Sequence, residues 1–174
     1  MTYFVGLDVS TKTGFVILEA VAGKPVLRHC ETIKVPEGLK GLKRAAYIAG
    51  HILGKLEPES ISLVVIEGYS FASVERVVLL TEIGTVVRYS LVQDGFYKVL
   101  VAPPTCVKKF ATGKGNADKH KVILEAHKRW GFDLSDDNQC DAAVLATMGA
   151  VHAGALSAHN VAANEAIGKL TPLV

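Results

Sequence analysis

The segment Ile61-Ser62-Leu63-Val64-Val65-Ile66-Glu67 constrains this chain more than any other. It is short, almost continuously apolar and rich in β-branched residues, which is the composition of a strand buried on both faces. A strand of that kind needs helices above and below its sheet, and the flanking sequence supplies them. Before it, Leu42, Ala45, Ala46, Ala49, Ile52, Leu53 and Leu56 recur at helical spacing, with Lys40, Lys43, Arg44 and Lys55 on the other face. After it, Leu79, Leu80, Ile83, Val86, Val87 and Leu91 form the stripe of a second helix, expected over about residues 74–92. Gly84 inside that helix costs about 1 kcal/mol relative to alanine and would permit close packing of another helix, including the same helix of a second copy at a dimer interface.

The remaining pattern completes an α/β order. Tyr3 to Val9 and Gly14 to Glu19 read as buried strands, and the link Ser10-Thr11-Lys12-Thr13 is short enough to make them a hairpin. Residues 25–35 alternate apolar and polar side chains and read as a third strand nearer the sheet edge. Lys98 to Ala102 is a fifth strand stopped by Pro103-Pro104, followed by a basic, glycine-bearing stretch from Thr105 to Asp118. Helices are expected over about 118–130 and 137–152, and the pattern weakens from Asn160. The expectation is a mixed five-stranded sheet, its first three strands antiparallel and its fourth and fifth parallel, with helices on both faces. One domain would span 1–174, with its core at about 3–153 and a tail at 154–174.

Composition narrows the function classes. Of 174 residues, 49% are hydrophobic and 21% charged, which is enough to bury a core and excludes a disordered chain or a disulfide scaffold. No apolar run reaches the roughly 18 residues needed to span a bilayer. The N-terminus lacks the basic start and apolar stretch of a signal peptide, and Cys30, Cys106 and Cys140 have no metal spacing. These features suit reduced thiols in a cytoplasmic protein. The net charge of +2 hides an asymmetry: residues 98–129 carry eight Lys/Arg and two acids, and the rest carries 11 bases and 15 acids. Such a block fits a polyanion partner, and equally a solvated helix face with its loop.

Three acids stand out by position. Asp8 lies between Leu7 and Val9 in an apolar strand, Glu67 ends the central strand, and Asp141 lies at the start of an apolar helix. A carboxylate in apolar surroundings is costly unless it is paired or bound to a cation. Neighbouring strands would bring such acids together, where they cannot all ionise without compensation. An all-oxygen set without His or Cys suggests Mg²⁺ or Mn²⁺. Each acid also has a structural reading: Asp8 as a turn cap, Glu67 as a solvated strand end, and Asp136 and Asp137 as helix-start residues favoured by the macrodipole. Asp137, Asn138 and Asp141 share a helical face by spacing.

Four ordered motifs carry a resemblance. Gly6-Leu7-Asp8-Val9-Ser10-Thr11-Lys12-Thr13-Gly14, Val65-Ile66-Glu67-Gly68-Tyr69, Pro103-Pro104-Thr105 with Lys108 and Gly113 to Lys119, and Asp137-Asn138-Gln139-Cys140-Asp141-Ala142 resemble the RuvC-type Holliday-junction resolvases of the RNase H-like superfamily. The Asp-Asn-x-x-Asp-Ala form is closest to their phage-like branch, and the resemblance runs over residues 3–153.

That resemblance implies an RNase H-like fold and a homodimeric, Mg²⁺-dependent endonuclease acting on branched DNA, chiefly four-way junctions. It would work in the cytoplasm of a bacterial cell or a phage-infected host, leave 5′-phosphate and 3′-hydroxyl ends, and use no nucleotide cofactor. Asp8, Glu67 and Asp141 match the family's catalytic carboxylates. The family's fourth acid falls at Asn138, so Asp137 would replace it from the next position, or Asn138 would serve as a neutral metal ligand. Two cations about 3.5–4 Å apart would flank the scissile phosphate, with Mn²⁺ able to substitute for Mg²⁺. Lys119 would offset charge on the phosphate, and Lys108, Lys109, Lys114 and Lys121 would join it in binding DNA. Tyr69 or Phe71 would stack on an unpaired base.

Three other readings remain open at this stage. The chain would otherwise be a broader branched-DNA or flap nuclease, an actin- or sugar-kinase-type ATPase lobe sharing the strand-hairpin opening, or a non-catalytic DNA-binding module.

Overall fold

The computed structural model describes residues 2–69, 73–134 and 136–174, without the side chain of residue 74. Strands β1 (Tyr3–Asp8), β2 (Gly14–Val21) and β3 (Lys24–Thr32) precede helix α1 (Gly41–Leu53). Strand β4 (Ile61–Glu67), helix α2 (Val74–Gln93) and strand β5 (Val99–Ala102) follow. The chain then runs through α3 (Pro104–Thr112), α4 (Lys119–Trp130), α5 (Asp137–His152), α6 (Val161–Ile167) and β6 (Thr171–Pro172). The sheet order is β3-β2-β1-β4-β5-β6. The hairpins β1–β2 and β2–β3 are antiparallel, whereas β1–β4 and β4–β5 are parallel, as the strand patterns require.

Side-chain alternation decides what each sheet face carries. In β1, Phe4 packs on one face while Val5 and Leu7 pack on the other; in β4, Leu63 and Val65 oppose Val64 and Ile66. Phe4, Leu63 and Val65 lie under α5 and its neighbours α3, α4 and α6, and the opposite set lies under α1 and α2. Asp8 and Glu67 continue the parity of Phe4 and Val65, so both carboxylates rise on the α5 side.

Three departures from the sequence expectation have local causes. The basic, glycine-bearing stretch 105–118, to which the sequence pattern gave no element, begins with α3. Pro104 occupies the first helical turn, where its fixed φ is favourable, and Cys106, Val107, Phe110 and Ala111 form the buried stripe. The prolines that end β5 therefore also start a helix, which stops at Gly113 with φ +80°. The third strand ends at Thr32 rather than Val35, since beyond it only Ile33 is tied back, to the Thr13 carbonyl at 2.8 Å. The sheet has a sixth strand: residues 171–172 pair with β5, and Ala163 and Ala166 of α6 are fully buried against the α3 side of the core. Among the described residues, no helix is long and apolar enough to cross a membrane.

Candidate active site

The parallel strands β1, β4 and β5 end at the same edge, and registers Leu7↔Ile66 and Glu67↔Ala102 set Asp8 and Glu67 side by side there. Ligand sites of open α/β sheets form at such carboxyl ends. Helix α5 closes over this edge because two glycines let it. A β-carbon on Gly6 would overlap the Ala142 carbonyl oxygen, and one on Gly14 would overlap the Asn138 carbonyl oxygen. The α5 backbone thus rests on the sheet at Ala142 and Asn138, which brings Asp141 and the Asn138 side chain to the strand ends.

The N-terminus of α5 is pinned from two directions. Asp136 is its cap, accepting from the Gln139 N–H at 3.1 Å, and Thr32 at the end of β3 donates to the same Oδ1 at 2.9 Å. Burial alone would raise the Asp136 pKa, but these hydrogen bonds hold it low. The structural reading of Asp136 as a cap is therefore correct.

A cleft of about 280 Å³ opens above these ends. Asp8, Glu67, Asn138, Asp141, Lys108 and Lys119 all line it. The acids are mutually stressed. Burial pushes Asp8 up, partly offset by a hydrogen bond with Glu67. Burial, and then the Asp8 charge, push Glu67 up to about 9. The same two causes, in the same order, push Asp141 up to about 7. Burial and mutual repulsion thus favour the protonated forms of Asp8 and Glu67, and a bound cation would oppose both effects.

The carboxylate oxygens form a donor set for a hard divalent cation, since among the described residues no imidazole or thiolate lines the cleft. Asp8, Glu67 and Asp141, with the Asn138 amide oxygen, would hold it. Among the described residues no three acid, imidazole or thiol side chains stand together as a ready-made metal cage. Binding would therefore draw these groups inward.

The other sequence candidates separate. Asp137 does not line the cleft; it is bound to Lys119, which lowers its pKa and raises that of Lys119. Lys109 points to α6 and pairs with Glu165. Lys114 and Lys121 are exposed and lie outside the cleft, the Lys121 N–H capping on Asp118 at 2.8 Å. Tyr69 lines the cleft and is 46% exposed, as a stacking surface requires. Phe71 lies outside the described residues.

Two cleft residues were missed from the sequence, Arg76 and Arg88. Arg88 donates from Nη2 to the Glu67 carbonyl at 2.9 Å, and its guanidinium carbon lies 4.2 Å from the Tyr69 ring centroid. Gly84, one turn earlier on α2, makes room for this pair, because a β-carbon there would crowd Arg88 Nη1 and the Tyr69 ring. The close helix packing expected at Gly84 is replaced by a side-chain contact within this chain, with Tyr69 and Arg88. The available signal was the lone arginine at i+4 from that glycine.

No protein-family model matches the chain, and no curated protein sequence does. Among solved structures it is similar to Thermus thermophilus RuvC in complex with a Holliday junction substrate. The TM-score is 0.76 at 21% identity, covering 99% of this chain and 100% of that one. It is also similar to a second Thermus thermophilus RuvC structure, with TM-score 0.75, 22% identity and the same coverage. The antiparallel hairpins, the parallel strands beside them and the helices on both faces of the sheet are those of the RuvC-type, RNase H-like fold.

Proposed function

We propose that this chain is a structure-selective DNA endonuclease that hydrolyses phosphodiester bonds in four-way junctions, leaving 5′-phosphate and 3′-hydroxyl ends. The observation that carries this reading is that Asp8, Glu67 and Asp141 line one cleft together with Lys108 and Lys119, on a RuvC-type fold. The cofactor is Mg²⁺, two ions per site with Mn²⁺ as substitute, and the bound cations supply nucleophile activation and leaving-group stabilisation. Around them, Lys119 and Lys108 attract the phosphate and offset its growing charge. Tyr69, held by Arg88, presents a ring to an unpaired base.

A single domain spanning residues 1–174 acts in the cytoplasm as a homodimer, because paired cuts in a two-fold symmetric junction need two facing sites. The α2 helix offers the surface: Val78 and Tyr89 are 64% and 65% exposed, while Ile83, Val87 and Leu91 are spent on the core. Gly84 is occupied by Tyr69 and Arg88 and takes no part in that contact.

The test is parallel cleavage of four-way, three-way, flap and linear DNA by the purified chain in Mg²⁺, with end-group analysis and sedimentation at micromolar concentration. Paired cuts in the four-way junction by a dimer are expected. Equal rates on all branched substrates would favour the broader nuclease, and cleavage of none would refute the reading.

A further inference from the structure

A second groove, of about 710 Å³, runs beside the catalytic cleft. The wall between the two is the β1–β2 turn and the start of α5. Ser10 and Asn138 face the catalytic cleft, and Thr11, Lys12 and Asp136 face the second groove. The turn is rigid: Thr13 Oγ1 donates to the Ser10 carbonyl at 2.7 Å and accepts from the Ser10 N–H at 3.2 Å, while the Lys12 N–H donates to Ser10 Oγ at 3.1 Å. Lys12 thus sits on the second-groove side of a fixed turn that separates the two grooves.

The far wall is the segment between β3 and α1, which contributes Lys34 and Lys40, with Arg44 of α1 behind it. Arg44 Nε donates to the Leu39 carbonyl at 3.2 Å, which ties the guanidinium to the segment that lines the groove. Four bases face two acids here. One acid, Asp136, is committed to Thr32 and the Gln139 N–H; the other, Glu37, is exposed. None of the four bases belongs to the basic block at 98–129. They come from the portion of the chain with a net negative charge, so their gathering is a product of the fold.

A groove adjoining the cleft read here as phosphate-cleaving, lined by four bases, suits an extended polyanion that crosses from one to the other rather than a small ligand. We infer that this second groove carries the phosphodiester backbone of a DNA arm leaving the catalytic cleft, with Lys12, Lys34, Lys40 and Arg44 as phosphate contacts. The inference rests on reading the adjoining cleft as the site of DNA cleavage.

The test compares the wild type with the triple variant Lys12→Gln, Lys34→Gln, Lys40→Gln in binding a four-way junction across a salt series, with Ca²⁺ replacing Mg²⁺. A control variant, Lys24→Gln with Lys55→Gln, neutralises lysines at the opposite end of the sheet. The three single variants are measured as well, so that a misfolded triple variant leaves the question answerable. Each lost contact should lower the slope of log affinity against log salt by about 0.9, so the triple variant should lose about 2–3 and bind at least about tenfold more weakly at low salt. A slope and affinity equal to wild type, or a loss matched by the control, would overturn the inference while wild-type junction binding stands. Absence of salt-dependent junction binding by the wild type would instead overturn the nuclease reading, and this inference with it.

Discussion

Gly6 of β1 lies directly beneath the Ala142 carbonyl of α5, with no room between them for a β-carbon. The same helix carries Asn138 and Asp141 to the cleft, so their approach to the strand ends depends on the missing β-carbon. Gly6→Ala is expected to push α5 outward and destabilise the protein by roughly 1–3 kcal/mol or more, the usual cost of overpacking a core. Cleavage should fall further than stability alone explains, because Asp141 moves with the helix. Denaturant unfolding and cleavage at a temperature where the variant remains folded would check both.

Asp8→Asn is expected to reduce cleavage by at least about 100-fold, as loss of a metal-site group does, while junction binding is retained or tightened. Binding survives because removing one negative charge lessens repulsion of the phosphates. Gel-shift affinity and single-turnover cleavage measured on one preparation would test the pair of outcomes; near wild-type cleavage would remove Asp8 from the mechanism.

Lys119 and Asp137 form an ion pair whose side chains are 62% and 38% exposed, so its contribution to stability should stay below about 1 kcal/mol. Its effect on activity should be larger, since Asp137 holds Lys119 at the cleft mouth. If Asp137 acts through Lys119, then Asp137→Asn with Lys119→Met will cleave no more slowly than Lys119→Met alone. Additive losses would show that Asp137 has a separate role, such as contact with the metal.

Stability without metal should fall as pH rises. Glu67 and Asp141, raised to about 9 and about 7, keep protons in the folded state that the unfolded chain, with values of 4.5 and 3.8, has already released. Between those limits the native state binds more protons, so unfolding becomes easier with increasing pH, and the low end of the window is the most stable. Melting temperatures in a chelator from about pH 6 to about pH 9 should therefore decline. Added Mg²⁺ should restore stability most at the alkaline end, where it no longer competes with protons. A flat profile would mean that these acids are not buried together in solution.

Arg88 joins Glu67 and Tyr69 through one hydrogen bond and one ring contact. Arg88→Leu should lose about 1–2 kcal/mol of the interaction that orients Tyr69, a drop of roughly 5–30-fold in cleavage. Arg88→Lys should recover little, because an ammonium cannot stack and hydrogen-bond in one plane. Full activity in Arg88→Lys would show that only its charge matters.

The sequence by itself determined five of the six strands, their parity, and the position of three acids at two strand ends and a helix start. Alternation in an apolar strand is a local property, so Asp8 and Glu67 could be assigned to one face and the strand pairing inferred from the lengths of the connections. The capping role of Asp136 was legible for the same reason, since a cap and the N–H groups it serves are three residues apart. Only the tertiary structure decided which long side chains reach the cleft. Lys109 meets Glu165, 56 residues away, while its neighbour Lys108 faces the site; one step along a helix turns a side chain by about 100°, and no local pattern tells which direction will be occupied. Asp137 and Asn138 also take different places: Asp137 pairs with Lys119, while Asn138 lines the cleft with its amide N–H donating to Asp136 and Asp137. Arg88, and the gathering of Lys12, Lys34, Lys40 and Arg44 along one groove, depend on contacts between segments distant in the chain. Such contacts exist only once the sheet and its helices have packed.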